Sequence, residues 1–153
     1  MAGTELRRPD VRPDVVHHRG RLRGAAIAFE HSTSAVEIDP AAWSTAVEGA
    51  LGLLADAWED HVSFTEGSGG LFEDLLGETV EVAAEVDRLR RDHEVVVAHI
   101  ARAHELLAQS TAGPEDTRVL LALAGIAKQV DQHRRRGADL LYRVYSVDVS
   151  TGD

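Results

Sequence analysis

Histidine is the residue type best placed to do chemistry in this chain, which has eight histidines and no cysteine among its 153 residues. The lack of cysteine excludes disulfides, zinc–thiolate sites, iron–sulfur clusters and cysteine nucleophiles together. A bound metal ion would therefore be held by histidine and carboxylate side chains. Four histidines share a further property, because each lies within an apolar pattern in a different part of the sequence: His18, His61, His93 and His133.

The apolar patterns that contain these four histidines are typical of amphipathic helices. In four long segments the apolar residues recur at alternating spacings of three and four, which keeps them on one helical face. Breaks fall at Asp39-Pro40, at Gly67–Gly70 and at Gly113-Pro114, and residues 71–76 are expected to form a separate helical turn. Short connections between long amphipathic helices predict an all-α fold, specifically an antiparallel up-down-up-down four-helix bundle.

Chain length and composition predict one domain, because 153 residues with 44% hydrophobic content can bury a single sizeable core. The bundle is expected to occupy residues 14–146. It is flanked by an irregular N-terminal segment, residues 1–13, and by a polar C-terminal tail, residues 147–153.

The charge of the chain limits its partners. A formal net charge of −10 and a pI near 5.2 oppose binding to nucleic acid and to anionic membrane surfaces, both of which recruit basic clusters. No apolar run approaches the roughly 20 residues needed to span a bilayer, and the N-terminus carries no hydrophobic signal region. A cytoplasmic location is therefore expected.

The spacing of the four histidines predicts that they meet at one level of the bundle. In adjacent antiparallel helices, two residues lie at the same height when the turn falls midway between them, since both helices rise by about 1.5 Å per residue. The midpoints of the three successive pairs fall on turn signals, at Asp39-Pro40, Gly77 and Gly113. Buried imidazoles need hydrogen bonds or metal bonds, so a layer of them favours a metal site.

Acidic residues are expected on one side of this histidine layer and apolar residues on the other. The acidic side would contain Asp14, Glu66 and Asp139, although Asp14 is more simply interpreted as a helix N-cap after Pro13. Gly137 would leave room there for a small ligand. The opposite side would be formed by the apolar residues Leu22, Ala57, Val97 and Val130. This asymmetry suits a histidine and carboxylate metal site.

Four segments resemble the motifs of hemerythrin-like (HHE) domains: HVSFTEG at 61–67, GLF at 70–72, RRDH at 90–93 and HRRRGADLLY at 133–142. The resemblance covers residues 14–148. That family is a four-helix bundle with non-heme iron, usually a pair of ions bridged by carboxylates. The resemblance implies a metal site with six ligands: His18, His61, Glu66, His93, His133 and Asp139.

The chain departs from the family pattern at three positions. Thr65 stands where the second helix of the family usually has its carboxylate, and Val97 stands where a second histidine is frequent in the next long helix. Asp139, six residues after His133, reaches the site only with a local distortion of the helix at Gly137. One iron therefore fits the ligand count as well as two.

Two functions from different classes follow. The resemblance implies a non-heme iron protein that binds or senses O2, peroxide or NO, or handles iron. Whether it is also an enzyme that decomposes peroxide is left open. The alternative is a metal-free four-helix bundle that acts as an interaction or structural module and keeps a degenerate site.

Overall fold

The computed structural model of the chain describes residues 12–34, 39–109 and 113–146, and throughout these ranges the regular structure is helical. The elements are α1 (Pro13–Ser34), α2 (Pro40–Glu66), α3 (Leu71–Glu78), a 3-10 turn (Val80–Val82), α4 (Ala83–Leu107) and α5 (Thr117–Tyr145). The predicted all-α class is confirmed, as is a separate short helix after the glycine-rich break. Pro13 already belongs to α1, whereas residues 1–11 of the predicted N-terminal segment and the predicted tail, 147–153, lie outside the described residues.

The ends of the long helices follow from local sequence. Asp39 caps α2 by accepting a hydrogen bond from the Ala42 amide, and Pro40 begins the helix with its ring-fixed φ. Asp116 caps α5 in the same manner by accepting from the Arg118 amide. The end of α5 is marked by Ser146, whose φ of 57° lies in the left-handed region typical of helix C-termini.

The four long helices form a bundle in which α1 packs mainly against α2, and α4 mainly against α5. Further contacts join α2 to α4 and α1 to α5. Among the described residues, no helix combines the length and the apolar character that crossing a lipid bilayer requires.

The interior contains two apolar clusters. The larger is built around Trp43, Leu54, Trp58, Val96 and Ile126, and the smaller around Val15, Phe72, Leu75, Val86 and Leu141. Burial of side chains of this size stabilises the fold by about 1.5–3 kcal/mol each. Along α1, α4 and α5, the histidine of each helix falls between the part that joins one cluster and the part that joins the other. The fold therefore holds a polar layer between two apolar ones.

Candidate metal centre

Three histidines from three helices meet in this polar layer. His61 of α2, His93 of α4 and His133 of α5 are 5%, 2% and 3% exposed, and one ring nitrogen of each lies within 4.8 Å of the other two. Of the four histidines predicted to meet at one level, the structure brings these three together. The three could hold a metal ion.

Two ring nitrogens of the cluster have the spacing of neighbouring ligands on one ion. His61 Nε2 and His133 Nε2 are 2.9 Å apart. Two imidazole nitrogens that bind one metal at about 2.1 Å and subtend a right angle are separated by about 3 Å. Within the described part of the chain, His61 Nδ1 and His93 Nε2 are buried and have no hydrogen-bond partner. Such nitrogens are costly in an apolar interior unless a ligand uses them.

Two carboxylates lie behind the histidines, on the ring nitrogens that face away from the cluster. Glu66 Oε1 is 2.5 Å from His93 Nδ1, and Asp92 Oδ2 is 3.3 Å from His133 Nδ1. A metal-bound histidine commonly donates its second N–H to a carboxylate, which fixes the ring orientation and leaves the other nitrogen free to bind. The structure thus places Glu66 as the partner of a predicted ligand. Its own predicted role as a direct ligand stays a prediction.

Asp92 was not among the predicted site residues, yet it connects His133 of the cluster to the guanidinium of Arg136. Its carboxylate accepts two 2.8 Å hydrogen bonds from Arg136 in addition to the contact with His133, and its side chain is 13% exposed. Burial opposes ionisation of Asp92, but the hydrogen bonds from His133 and Arg136 outweigh that effect and lower its pKa. Asp92 is therefore held as a carboxylate that can accept the His133 proton.

The interior keeps the three histidines in the neutral form. Burial lowers the pKa of His93 to about 4, and repulsion by His133 adds to the effect. The pKa values of His61 and His133 are also lowered, in both cases mainly by burial. Because a metal ion binds neutral imidazole, the folded chain holds these side chains in the form that binding requires.

Trp58 is buried at 1% exposure and packs against the whole cluster. The centroid of its ring system lies 5.2, 5.6 and 5.0 Å from the ring centroids of His61, His93 and His133. Its indole Nε1–H donates to the His93 carbonyl at 3.3 Å. Trp58 is therefore the part of the larger apolar cluster that packs directly on the histidine layer.

The position of Glu66 depends on where α2 ends. Glu66 is the last residue of α2, and the chain turns through Gly69, which has a φ of +68°, and through Gly70. A Cβ on Gly70 would lie 2.6–2.8 Å from three backbone oxygens, so the turn requires glycine there. Thr65, which stands at the family's carboxylate position, points its hydroxyl back to the His61 carbonyl at 2.9 Å.

His18 lies beside the cluster and is not one of its three members. Its half-buried ring stacks on Phe64, with centroids 4.0 Å apart, and lies 5.5 Å from the ring of His61. His18 Nε2 has no hydrogen-bond partner among the residues that the structure describes. Burial lowers the pKa of His18. Its role as a ligand stays a prediction.

The predicted acidic side of the layer is wrong for two of its three residues: the smaller apolar cluster occupies that side, and only Glu66 approaches a histidine. Asp14 is 51% exposed, pairs with Arg12 and follows the first residue of α1, so the predicted N-cap is also wrong. Asp139 is exposed and lines a surface groove with Arg88 and Arg143. The structure does not bring Asp139 to the three histidines.

Two further expectations about the surroundings of the layer need correction. Helix α5 runs unbroken through Gly137, and a Cβ at this position would lie 3.1 Å from Arg19 Nη1. The space at Gly137 is therefore used by the Arg19 side chain, which reaches across from α1 and donates to the Arg134 carbonyl at 2.9 Å. Val97, predicted to be on the apolar side, is 55% exposed.

The candidate site thus consists of three converging imidazoles, two carboxylates behind them and one tryptophan beneath them. Of the six predicted ligands, the structure brings three together, places Glu66 behind one of them, and leaves His18 and Asp139 outside the cluster. No protein-family model matches the sequence, and neither the curated proteins nor the solved structures contain a significant match to it.

Proposed function

We propose that the chain is a hemerythrin-like metal-binding protein, with His61, His93 and His133 as the ligands of a non-heme iron ion. The observation that carries this proposal is the convergence of three buried imidazoles, two of which have a carboxylate on the opposite ring nitrogen. The proposal includes the finer arrangement of the four long helices as an antiparallel up-down-up-down bundle, the topology in which the histidine spacing brings the three rings to one level.

The residues present fit a bound metal ion. Three neutral imidazoles suit iron, zinc, copper and nickel, and the resemblance of the motifs to hemerythrin-like domains selects iron among these. Three protein ligands leave coordination positions free. Bound iron would supply an open position and a redox couple for reaction with O2, peroxide or NO.

The side chains around the histidines perform separate tasks in this proposal. Glu66 and Asp92 accept the Nδ1 protons of His93 and His133, which directs the Nε2 lone pairs of both rings towards the cluster. Arg136 holds Asp92 ionised. Trp58 and the two apolar clusters exclude water, so charged and polar ligands interact more strongly there than in solvent.

A metal-free structural bundle is the second candidate, and one contact favours it. His61 and His133 are close enough to share a hydrogen bond between their Nε2 atoms, so each would satisfy the other without an ion. That bond leaves His93 Nε2 without a partner among the described residues, whereas an ion bound through the Nε2 atoms of all three rings would use it. The first proposal therefore accounts for one more buried polar atom, while His61 Nδ1 has no partner among the described residues in either case.

Metal analysis of variants tests the proposal. The wild-type protein, refolded or expressed with iron and then desalted, is expected to retain at least one iron per chain. His61→Ala and His133→Ala should each lose most of it, whereas His104→Ala, which changes an exposed histidine, should not. Equal retention by all three variants, or no iron in folded wild-type protein, would favour the metal-free bundle.

A further inference from the structure

The three clustered histidines are almost closed to solvent, so an external ligand needs a path to them. A groove of about 520 Å³ runs between α1 and α2. Its walls carry mainly small side chains, including Ala25, Ala28, Ala46, Gly49 and Ala57. The groove also reaches His18 and Asp60, and Asp60 directly precedes His61 in the sequence.

His18 stands between this groove and the cluster. It lines the groove on one side, and on the other its ring lies 5.5 Å from His61 in a stacked orientation. Stacking on Phe64 holds the ring, and the described residues offer its Nε2 no hydrogen-bond partner. Rotation of the His18 side chain would therefore break no hydrogen bond at Nε2.

A second groove, of about 310 Å³, lies between α2 and α4 and also approaches the cluster, through Trp58. Trp58 is held far more tightly than His18. It is 1% exposed, packs against all three rings, and donates its Nε1–H to the His93 carbonyl. Movement of Trp58 would break that hydrogen bond and disturb the cluster itself, so this groove is closed by a fixed residue.

We propose that the α1–α2 groove is the access path for small neutral ligands of the metal centre and that His18 is its gate. This inference rests on the proposed function. The selectivity for neutral ligands follows from the walls, which are largely apolar, and from the Arg21–Asp60 pair at 3.3 Å, whose charges offset each other. The net charge of −10 further disfavours anions.

The first test uses NO as the probe of the iron-loaded protein. His18→Ala removes the gate and should increase the NO association rate severalfold with unchanged iron content. His17→Ala is the matched control, because this neighbouring residue is exposed and does not line the groove. Equal NO association rates in His18→Ala and His17→Ala would overturn the role of His18 as a gate but not the role of the groove as the access path. Loss of iron from His18→Ala would identify His18 as a ligand and would also overturn it.

The second test needs no metal and compares the two grooves. Paramagnetic relaxation of the His61 and His133 ring protons by dissolved O2, measured by NMR on the metal-free protein, reports how readily a small neutral molecule reaches the cluster. Ala57→Leu narrows the α1–α2 groove and should reduce this relaxation. Ala55→Leu is matched to it in burial and in its packing on the larger apolar cluster, but it lines the other groove and should leave the relaxation unchanged.

The possible results separate the two proposals. Reduced relaxation of the histidine ring protons by O2 in Ala55→Leu but not in Ala57→Leu would assign access to the α2–α4 groove and overturn the inference. Faster NO binding in His18→Ala together with reduced relaxation in Ala57→Leu would support it. Absence of iron from the folded wild-type protein would overturn the proposed function, and with it the assignment of the groove as a path to a metal centre.

Discussion

Asp92 connects a candidate ligand to the outside of the bundle. It accepts from His133 on its inner side and from Arg136 on its outer side, and it directly precedes His93 in α4. The Asp92 carboxylate on α4 thus fixes the orientation of the His133 imidazole on α5. It also forms an ion pair with Arg136 of α5 through two hydrogen bonds. Its contribution lies in holding His133 in one tautomer, since it is not itself among the clustered ligand atoms.

Replacing Asp92 with asparagine should weaken iron binding about 10- to 100-fold, the usual effect of removing the partner of a metal-bound histidine. The amide lacks the negative charge that stabilises the His133 Nδ1 proton and that pairs with Arg136. Competition with a chelator of known affinity measures the change. Asp87→Asn is the control, because Asp87 lies on the same helix, is 60% exposed and pairs with Arg90. Similar affinities for both variants would contradict the assigned role.

The sequence predicted the three central histidines because helical rise and turn positions are regular enough to set their height. It did not predict the carboxylates equally well. Asp139 was assigned to the site through the family motif, but α5 continues unbroken through Gly137 and leaves Asp139 exposed. Asp92 was missed because it belongs to no apolar pattern. Two features of the sequence could have identified it: Asp92 directly precedes the core histidine His93, and Arg136 follows the core histidine His133 by three residues.

At the scale of elements, the turn between α2 and α3 sets the position of Glu66. Breaks at Gly67–Gly70 and after α3 were visible in the sequence, and so was the need for a short helix between them. The direction in which the Glu66 side chain points at the end of α2 was not visible in the sequence, since it depends on how Gly69 and Gly70 turn the chain. Turn geometry of this kind depends on contacts between backbone atoms, which the pattern of apolar residues does not encode.

Gly70→Ala should destabilise the protein by about 1–3 kcal/mol, because the added Cβ would meet three backbone oxygens at 2.6–2.8 Å that cannot move independently. Iron binding should weaken as well, since Glu66 would shift relative to His93. Chemical denaturation and metal titration measure the two effects. Gly77→Ala is the matched control within α3, where an added Cβ meets nothing described within 4 Å, and it should be neutral or stabilising by up to about 1 kcal/mol. Equal behaviour of the two variants would show that the turn is not constrained.

At the scale of the whole molecule, the buried histidines make the stability of the metal-free protein depend on pH. The folded state lowers the pKa of His93 from 6.5 to about 4 and also lowers those of His61 and His133. Between these pH values the unfolded chain binds more protons than the folded chain does. The free energy of unfolding should therefore have its full value above pH 6.5 and should fall as the pH is lowered towards 4.

Urea denaturation of the metal-free protein at a series of pH values measures this dependence. His133→Leu removes one of the titrating groups and should give a flatter profile over the same pH window. A wild-type profile that is constant between neutral pH and about pH 4 would mean that the histidines are not held neutral in the folded state.

The polar layer between the two apolar clusters has a consequence for folding cooperativity. Helices α1, α4 and α5 pass through both clusters, but between the clusters lie imidazoles, three of whose nitrogens have no hydrogen-bond partner among the described residues. We expect the smaller cluster, with α3 and the ends of α4 and α5, to be able to open without the larger one. An ion held by all three histidines, as proposed, would join α2, α4 and α5 at the boundary and would bind only when both units are formed. Metal binding and the folding of the smaller cluster would then be thermodynamically linked, and each would stabilise the other.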